Sequence, residues 1–430
     1  MRGAFWKVVG IAALGLAASA PGRGAGFGIF EQGSKAMGMA GAFTAQADDP
    51  SALFHNAGGV AFFTRREIAT GFTWIRSVEA DFEGAAPFPG PGVREEQETL
   101  SEFPPHLYWV QPINHTWKFG LGINSPFGLA TEWADPAEFS GRFLSTRAEL
   151  RAVDVNPTIG WQLTPNFGLG FGAVARFSDV QLARRVPAIN PFTQRVSDIG
   201  ALELESDFGE GFGWNAGLLH RVGSSFSWGL AYRSGIDVDY EGDARLTQIA
   251  TGTPFDPIIA ARLPFDRDLP VATALEFPDM ASLGLAFALS PNLLLETDVN
   301  RTGWSSVETI VIDFTGGDLP DATIPEEWED ANNYRAGLRW TLSPATQLRF
   351  GYVFDETPQP EPAVSPLLPD SDRHGVTFGW GHTGGFDFDL AVMYLTFDER
   401  ERDESFDEEG NDFFGTYNQK AWLFGLTVNW

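Results

Sequence analysis

The chain has 430 residues, of which 57 are acidic and 29 are basic, so its formal net charge is −28. Such a chain lacks the basic face that phosphate binding needs, which excludes nucleic acid as a partner. It has no cysteine, so disulfides cannot stabilise it and its stability must come from a strand ladder or a packed core.

Residues 1–24 have the features of a cleaved signal peptide. Arg2 and Lys7 give a basic start, and the 13 residues Val8–Ala20 are apolar. This run is shorter than the ~20 residues of a membrane helix, so it indicates export rather than an anchor. Ala18-Ser19-Ala20 fits the small-residue cleavage pattern but is followed by Pro21, whereas cleavage after Gly22-Arg23-Gly24 is better placed and makes Ala25 the first residue of the mature chain.

Residues 25–65 show no strand-like alternation. They are rich in small residues and moderately apolar, as in Met37–Ala42 and Asn56–Gly59. A solvated tail would not need these apolar residues. The composition therefore predicts a compact unit that packs against the rest of the protein.

From residue 66 onward, large apolar residues alternate with small or polar ones. In the last strand Trp422, Phe424 and Leu426 fall on one face, and the residues between them fall on the other. Successive side chains of a strand point to opposite faces, so this alternation indicates strands. We predict 14 strands, at residues 66–82, 103–113, 116–124, 146–163, 166–180, 211–222, 225–240, 276–289, 292–306, 333–343, 346–355, 372–384, 385–398 and 418–430.

The connections between these strands alternate in length. Every second connection is a tight turn rich in Pro, Asn, Gly and Ser. The seven long connections are residues 83–102, 125–145, 181–210, 241–275, 307–332, 356–371 and 399–417. An even strand number with short turns on one side and long loops on the other is typical of an outer-membrane barrel. We therefore predict an all-β fold, a 14-stranded antiparallel transmembrane β-barrel over residues 66–430, because only helices and closed barrels satisfy the backbone in lipid.

The two faces of the strands differ in chemistry. The large apolar face is expected to meet lipid, and the face with Gly, Ser and charged residues is expected to line the lumen. Aromatic residues near strand ends are candidates for the interfacial girdles, namely Trp304, Trp340, Tyr394 and Trp430. The acidic charge predicts solvated loops or, alternatively, bridging by divalent cations to lipopolysaccharide in the outer leaflet.

A barrel of 14 strands has a lumen too wide for its wall side chains to fill. Residues 25–65 are the right kind of material to plug it. Because both chain ends lie on the short-turn side, this hatch is expected to enter from the periplasm. A barrel closed by a single chain is also compatible with a monomer.

Five stretches of the mature chain carry a resemblance to a known family. In chain order they are AGFGIFEQGSKAMGMAGAFTAQADDPSALFHNAGGVAFF, GLGINSPFGLATEW, VDVNPTIGW, LRFGYVFDETPQP and LPDSDRHGVTFG. Together they resemble the FadL family of outer-membrane transporters for long-chain fatty acids and other hydrophobic compounds. The resemblance implies a 14-stranded barrel with an N-terminal hatch. It also implies that ligand lands in an apolar extracellular groove, passes to an inner site and leaves sideways near the third strand, with movement of the hatch.

Two apolar groups are candidate ligand contacts. The long loop after the third strand holds apolar residues that form either a ligand groove or a self-packed loop, namely Phe127, Leu129, Trp133 and Phe139. The start of the hatch holds residues that either touch ligand or serve only plug packing, namely Phe27, Ile29 and Phe30.

Two sets of residues are candidates for gating. Gly120 and Gly122, followed by Asn124, fall on the lumen face of the third strand, where small residues predict a gap or a kink in the wall. In the hatch the family pattern is Asn-Pro-Ala, whereas here the residues are Asn56, Ala57 and Gly58. Loss of the fixed proline φ predicts a looser turn.

Three lumen arginines are candidate ligand contacts, namely Arg335, Arg339 and Arg349. They are expected to pair mostly with the lumen acids, namely Asp154, Glu296, Asp298 and Asp355, since unpaired buried charge is costly. An arginine left without a partner is suited to hold a carboxylate head group.

The sequence predicts no catalytic residue, metal site or cofactor. The six histidines show no metal-binding spacing, and no G-x-S-x-G elbow is present. Three functions remain: a channel for hydrophobic solutes, a general porin for small polar solutes, and an adhesive or structural barrel. The channel is favoured because a plugged lumen does not suit a porin. The pattern does not separate fatty acids from hydrocarbons as ligands.

Overall fold

A computed structural model of the protein describes residues 26–406 and 413–430. The predicted signal peptide and Ala25 lie outside these residues. The strands are β1 (Glu67–Gly84), β2 (Arg94–Glu96), β3 (Ser101–Glu102), β4 (Pro105–Pro112), β5 (Trp117–Asn124), β6 (Gly128–Glu132), β7 (Arg147–Thr164), β8 (Phe167–Asn190), β9 (Arg195–Ser206), β10 (Gly209–Val222), β11 (Phe226–Arg233), β12 (Ile236–Gln248), β13 (Asp268–Phe277), β14 (Met280–Ser290), β15 (Leu293–Thr302), β16 (Thr309–Ile312), β17 (Ala322–Pro325), β18 (Ala331–Ser343), β19 (Thr346–Asp355), β20 (Arg373–His382), β21 (Asp387–Phe397), β22 (Arg400–Arg402) and β23 (Gly415–Asn429).

Helices are short and few in the described residues. The α-helices are α1 (Ser34–Met37), α2 (Ala52–His55) and α3 (Asp256–Ala260), and the 3₁₀ helices are Ala57–Phe62, Trp304–Ser306 and Glu361–Ala363. None of the helices in this part of the chain has the length and hydrophobicity to cross a membrane.

The strands form a closed antiparallel barrel of 14, as the sequence predicts. In order around the barrel these are β1, β4, β5 continued by β6, β7, β8, β10, β11, β14, β15, β18, β19, β20, β21 and β23. Pairing of β1 with β23, from Ala69 opposite Asn429 to Gly84 opposite Gly415, closes the ring. Neighbouring barrel strands follow one another along the chain. Every second pair is joined by a tight turn, and that turn sets how the two strands pair.

The two faces of the barrel match the predicted division. On the outside Phe171, Phe212 and Val376 are 59%, 74% and 54% exposed. Inward positions such as Asn215 and Asp298 are buried. No other part of the described chain covers these large apolar side chains. Their outward position is the one expected for the lipid-facing surface of a membrane barrel.

Two of the predicted long connections are strands instead. β8 continues to Asn190 and pairs with β9, and β12 pairs with β13, so connections 181–210 and 241–275 are mainly hairpins. β9 and β12 also pair with each other. The predicted strand 225–240 is interrupted after Arg233 and resumes as β12. Alternation continues past the predicted ends, and it builds a small core above the barrel from Leu202, Leu204, Ala244, Leu246, Leu269 and Val271.

Residues 26–65, the N-terminal segment, pack against the inward face of the strands. Asp298 accepts the backbone N–H groups of Phe43 and Thr44 at 3.0 and 2.9 Å, and Glu296 accepts that of Ala45 at 2.5 Å. Two lumen acids therefore bind backbone donors of this segment rather than the predicted arginines. Buried backbone N–H groups need such acceptors.

Candidate functional site

The third barrel strand is broken between β5 and β6. Both pieces pair with β7, with Asn124 opposite Asp154 and Gly128 opposite Arg151. The chain advances four residues on one side and three on the other (128 − 124 = 4; 154 − 151 = 3), so one residue is extra at the break. Pro126 lies within it and has no N–H for the ladder, which explains why pairing stops there.

The start of the N-terminal segment pairs with this break. Ile29 donates its backbone N–H to the carbonyl oxygen of Pro126 at 2.8 Å, and Gly128 donates to that of Phe27 at 3.0 Å. Gly28 and Phe127 face each other as an antiparallel bridge. The segment therefore supplies backbone partners that the broken wall strand lacks.

The Phe27 side chain is held in an aromatic cage. Its ring centre lies 4.6 Å from that of Trp304, 5.6 Å from that of Trp328 and 5.8 Å from that of Phe127. Phe277 completes the cage at 6.0 Å. Edge-on and tilted contacts at these distances are the favourable geometries for aromatic rings, so the cage fixes the position of Phe27.

A backbone clamp acts on the residue before Phe27. The N–H of Gly26 donates to Asp370 at 3.1 Å, and Arg373 donates to the Gly26 carbonyl oxygen while pairing with Asp370 at 2.7 Å. Asp370 and Arg373 flank the start of β20. The segment is thus tied to the loop before β20, which also accepts a hydrogen bond from Thr131 of β6 through the carbonyl oxygen of Leu367.

Arg176 lies behind Phe127. Its guanidinium carbon is 4.6 Å from the ring centre of Phe127 and 4.5 Å from that of Phe277. The same side chain forms a bidentate pair with Asp154 at 2.8 and 2.9 Å. The pair is almost fully buried. A desolvated guanidinium between two rings is a strong form of the cation–π contact, and it holds Phe127 in place.

An inner cavity of about 400 Å³ lies beside the break. Its apolar lining includes Phe30, Ile75, Leu129, Leu150 and Leu423, and Arg335 is one of its polar groups. Both the inward Ala152 and the exposed Arg151 and Glu102 line it, so it reaches both faces of the wall at this place. The volume falls within the ~300–1,000 Å³ of typical ligand sites.

A second, smaller cavity of about 80 Å³ lies towards the long loops, and we call it the outer groove. Its lining is mostly apolar and includes Val180, Leu182, Leu275, Val307, Ile324 and Trp328. Phe27, Leu129, Leu150 and Leu368 line both cavities. The outer groove and the inner cavity therefore adjoin each other across the Phe27 cage.

Comparison with known proteins decides the family. The family model described as outer membrane protein transport protein (OMPP1/FadL/TodX) matches residues 15–430. The chain belongs to this family. Its curated relatives include the long-chain fatty acid transport protein of Escherichia coli O6:H1, 26% identical over 442 residues with 94% of each chain covered. Outer membrane protein P1 of Haemophilus influenzae is 24% identical over 411 residues and covers 86% of each chain.

Solved structures of the OMPP1/FadL/TodX family share the fold. A FadL homologue from Pseudomonas aeruginosa has a TM-score of 0.81 at 19% identity, covering 94% of this chain and 99% of that one. The toluene transporter TodX of P. putida has a TM-score of 0.72 at 16% identity, covering 93% and 99%. The relatives are transporters and channels and not enzymes.

Five predicted apolar residues meet around the cavities of this FadL-type barrel. They are Phe27, Ile29, Phe30, Phe127 and Leu129. Trp133 and Phe139 do not join them. Their rings stack 4.1 Å apart in a separate buried cluster with Phe82, Phe413 and Tyr417. Self-packing of the loop explains these two residues, since Trp133 also donates its indole N–H to Pro366.

The three predicted arginines have different surroundings. Arg339 pairs with Asp48 and Arg349 with Asp389, each at 2.6 Å, and neither lines the inner cavity. Arg335 is buried 4.7 Å from the Phe30 ring centre, and its Nε donates to the side chain of Asn333. Among the described residues, no carboxylate oxygen lies within the 4 Å ion-pair limit of Arg335. Two of the three arginines are therefore paired, as expected, but their partners were predicted wrongly. Asp154 pairs with Arg176, and Glu296 and Asp298 bind the N-terminal segment. Asp355 acts on Arg335 only electrostatically.

The predicted hatch turn is held by hydrogen bonds rather than by a proline. The side chain of Asn56 donates to the carbonyl oxygens of Thr44 and Leu218 at 2.7 and 3.0 Å and accepts the N–H of Gly58 at 2.9 Å. A Cβ on Gly58 would lie 2.7 Å from the backbone of Leu218. Ala57 also lies directly against the wall, next to Gly170 and Gly217. A Cβ at either glycine would collide with the Ala57 backbone.

Gly120 and Gly122 do not mark the break in the wall. They pair regularly with β7, opposite Thr158 and Asn156, and the break begins after Asn124. A Cβ on Gly120 would lie 2.4 Å from the side chain of Leu53. These glycines therefore make room for the N-terminal segment.

Sequence reasoning missed part of the site. Trp304 was predicted as a membrane girdle but is fully buried in the Phe27 cage, whereas Trp340 and Trp430 are exposed. Phe277, Arg176 and the loop residues of the outer groove were not predicted. An aromatic residue at a strand end fits the alternation pattern whether it faces the membrane interface or a buried cage. Alternation therefore does not distinguish these two positions for Trp304.

Proposed function

We propose that this protein is an outer-membrane channel for passive uptake of hydrophobic compounds, either long-chain fatty acids or hydrocarbons. The observation that carries this proposal is the apolar outer groove adjoining an inner cavity that reaches a break in the wall. The names of relatives support it, since one is a long-chain fatty acid transport protein and another a toluene transporter.

The proposed path starts in the outer groove and passes Phe27 to the inner cavity. Ligand then leaves sideways between β5 and β6. Residues 25–65 act as the hatch, and Phe27–Ile29 must leave Pro126 and Gly128 for the path to open. The driving force is the concentration gradient, with apolar burial replacing contact with water at each site.

The proposal also covers export, oligomeric state and contacts with the outer leaflet. Residues 1–24 are removed as a signal peptide during export. One chain closes the barrel through β1 and β23, so a monomer suffices. The acidic loops are suited to divalent-cation bridges with lipopolysaccharide. The buried contacts of the N-terminal segment argue against an open porin.

Arg335 is the proposed contact for a carboxylate head group. It is buried and lines the inner cavity, and among the described residues Asp355, Glu31 and Asp298 act on it electrostatically without coming within ion-pair distance. Phe30 packs on it, so an acyl chain in the cavity would continue from the guanidinium onto apolar surface. Arginine binds carboxylates through two parallel hydrogen bonds.

The test is competition with a fluorescent fatty acid on purified, detergent-folded protein. Oleate and toluene are compared as competitors for the wild type, Arg335→Gln and Arg339→Gln. We expect Arg335→Gln to weaken oleate binding about tenfold, as for loss of a charged hydrogen bond, and to leave toluene unchanged. Arg339 is the matched control because it already forms an ion pair with Asp48 and does not line the inner cavity. Displacement by neither ligand would overturn the proposed function.

A further inference from the structure

The outer groove contains one buried carboxyl group. Glu326 follows β17, is 2% exposed and accepts the indole N–H of Trp328 at 2.7 Å. The side chains around it are apolar apart from Tyr240, Thr273 and Glu149. Among the described residues, no Lys, Arg or His lines the groove.

The charge of Glu326 is not balanced within the groove. Glu149, the other carboxyl in the lining, is 2.7 Å from Arg147 and 3.6 Å from Arg151. Arg402 acts on Glu326 electrostatically, but it donates to backbone carbonyl oxygens and does not line the groove. The groove therefore presents apolar surface with two acids, of which Glu149 is paired with arginines and Glu326 has no cation in the lining.

The inner cavity differs from the groove in one respect. Its lining holds four basic side chains, Arg151, Arg335, Arg373 and Lys420, and six acidic ones. Arg151, Arg373 and Lys420 are paired with Asp179, Asp370 and Glu79, whereas Arg335 has no carboxylate oxygen within ion-pair distance among the described residues. A ligand carboxylate therefore finds one arginine there that is not already in an ion pair. In the outer groove it would meet Glu326 while losing its own hydration, and like charges in a desolvated site repel strongly.

We propose that Glu326 is a specificity-determining residue that restricts the outer groove to uncharged hydrophobic molecules. The class includes hydrocarbons, long-chain alcohols and the protonated form of a fatty acid. A carboxylate is excluded at this first site and accepted only at Arg335. The inference rests on the proposed function and adds the charge state that the ligand has on entry.

The environment of the carboxyl supports this role. Burial raises the pKa of Glu326 to about 7, while hydrogen bonds from Trp328 and Gln359 and the charge of Arg402 act in the opposite direction. Above that pH the groove carries a negative charge next to apolar side chains. Exclusion of an anionic head group is then strongest.

The experiment measures quenching of tryptophan fluorescence by two brominated ligands at about pH 8.5, where Glu326 is mainly ionised. One ligand is a long-chain fatty acid and the other is the alcohol of the same chain. The proteins are the wild type, Glu326→Gln, Glu327→Gln and Arg335→Gln, all folded in detergent. Glu327 is the matched control because it is the next residue, is exposed and loses the same charge.

We expect Glu326→Gln to strengthen binding of the acid about fivefold relative to the alcohol, as for removal of one nearby like charge. Glu327→Gln should leave that ratio unchanged, and Arg335→Gln should shift it the other way. An unchanged ratio in Glu326→Gln, with the Arg335→Gln effect present, overturns this inference alone. Binding of neither ligand to the wild type overturns the proposed function itself.

Discussion

Gly128 donates its backbone N–H to the carbonyl oxygen of Phe27 at 3.0 Å, across the break in the third barrel strand. With the bond from Ile29 to Pro126, it makes the backbone of Phe27–Ile29 part of the wall. A molecule that crosses the wall at this place must displace them. The contact therefore couples the N-terminal segment to the proposed exit.

A disulfide across this contact should block transport. Gly28 and Phe127 form an antiparallel bridge flanked by hydrogen bonds, and such pairs have Cα atoms about 4.5 Å apart, within the ~4.4–6.8 Å of disulfides. The chain has no cysteine that could interfere. We expect oxidised Gly28→Cys/Phe127→Cys to lose uptake of fatty acid into liposomes, and reductant to restore it.

The two single-cysteine variants under the same oxidant are the controls. They also reveal any effect of losing the Phe127 ring from its cage. Full uptake while gel mobility shows the disulfide formed would contradict an exit past Phe27.

Crowding at Gly58 should open the barrel. A Cβ there meets the Leu218 backbone at 2.7 Å, so Gly58→Val must push the N-terminal segment off the wall. We expect single-channel conductance in planar bilayers to rise from near zero to frequent openings. Gly385→Ala is the control, because nothing lies within 4 Å of its Cβ position. Equal conductance in both variants and the wild type would count against a hatch role.

Asp298 should control the local stability of the N-terminal segment. It accepts two backbone N–H groups, from Phe43 and Thr44, and each such hydrogen bond contributes about 0.5–1.5 kcal/mol. In Asp298→Ala we expect amide hydrogen exchange in residues 41–50 to be at least tenfold faster, measured by mass spectrometry. Exposed Asp268→Ala should leave it unchanged. Protection equal to the wild type would show that these bonds do not hold the segment.

The two halves of the loop after β5 should respond differently to truncation. Leu129 lines both cavities, so Leu129→Ala should weaken fatty acid binding about threefold to tenfold through lost apolar contact. Trp133 is stacked on Phe139 outside both cavities. Trp133→Ala should lower the thermal stability and leave affinity unchanged. A large loss of affinity in Trp133→Ala would return that residue to the ligand site.

Stability should depend on pH through Glu326. Its pKa is raised by burial from the ordinary 4.5 to about 7, so the folded protein binds this proton more tightly than the unfolded chain. The stability that it contributes is present below about pH 4.5 and is lost as the pH rises through about 7. We expect Glu326→Gln and the wild type to have the same melting temperature at about pH 5. At about pH 8.5 the melting temperature of Glu326→Gln should be the higher of the two. A pH-independent difference would contradict a titrating Glu326.

The sequence by itself determined the barrel and its two faces. Alternation is local, because each side chain points opposite to its neighbour whatever the rest of the chain does. Strand number, turn positions and the lipid-facing residues such as Phe212 therefore follow from short windows. The extended hairpins of β8–β9 and β12–β13 were missed because alternation does not show where the membrane ends.

Only the tertiary structure decided which candidates form the site. Phe127 and Trp133 are both aromatic residues of one loop, yet one joins the Phe27 cage and the other a separate cluster. Of three lumen arginines, Arg335 alone lines the inner cavity. These outcomes depend on partners far away in the chain, such as Asp370, which is 344 positions after Gly26, the residue whose N–H it accepts. Closing the barrel brings such groups together, and no local pattern records which of several similar side chains will meet.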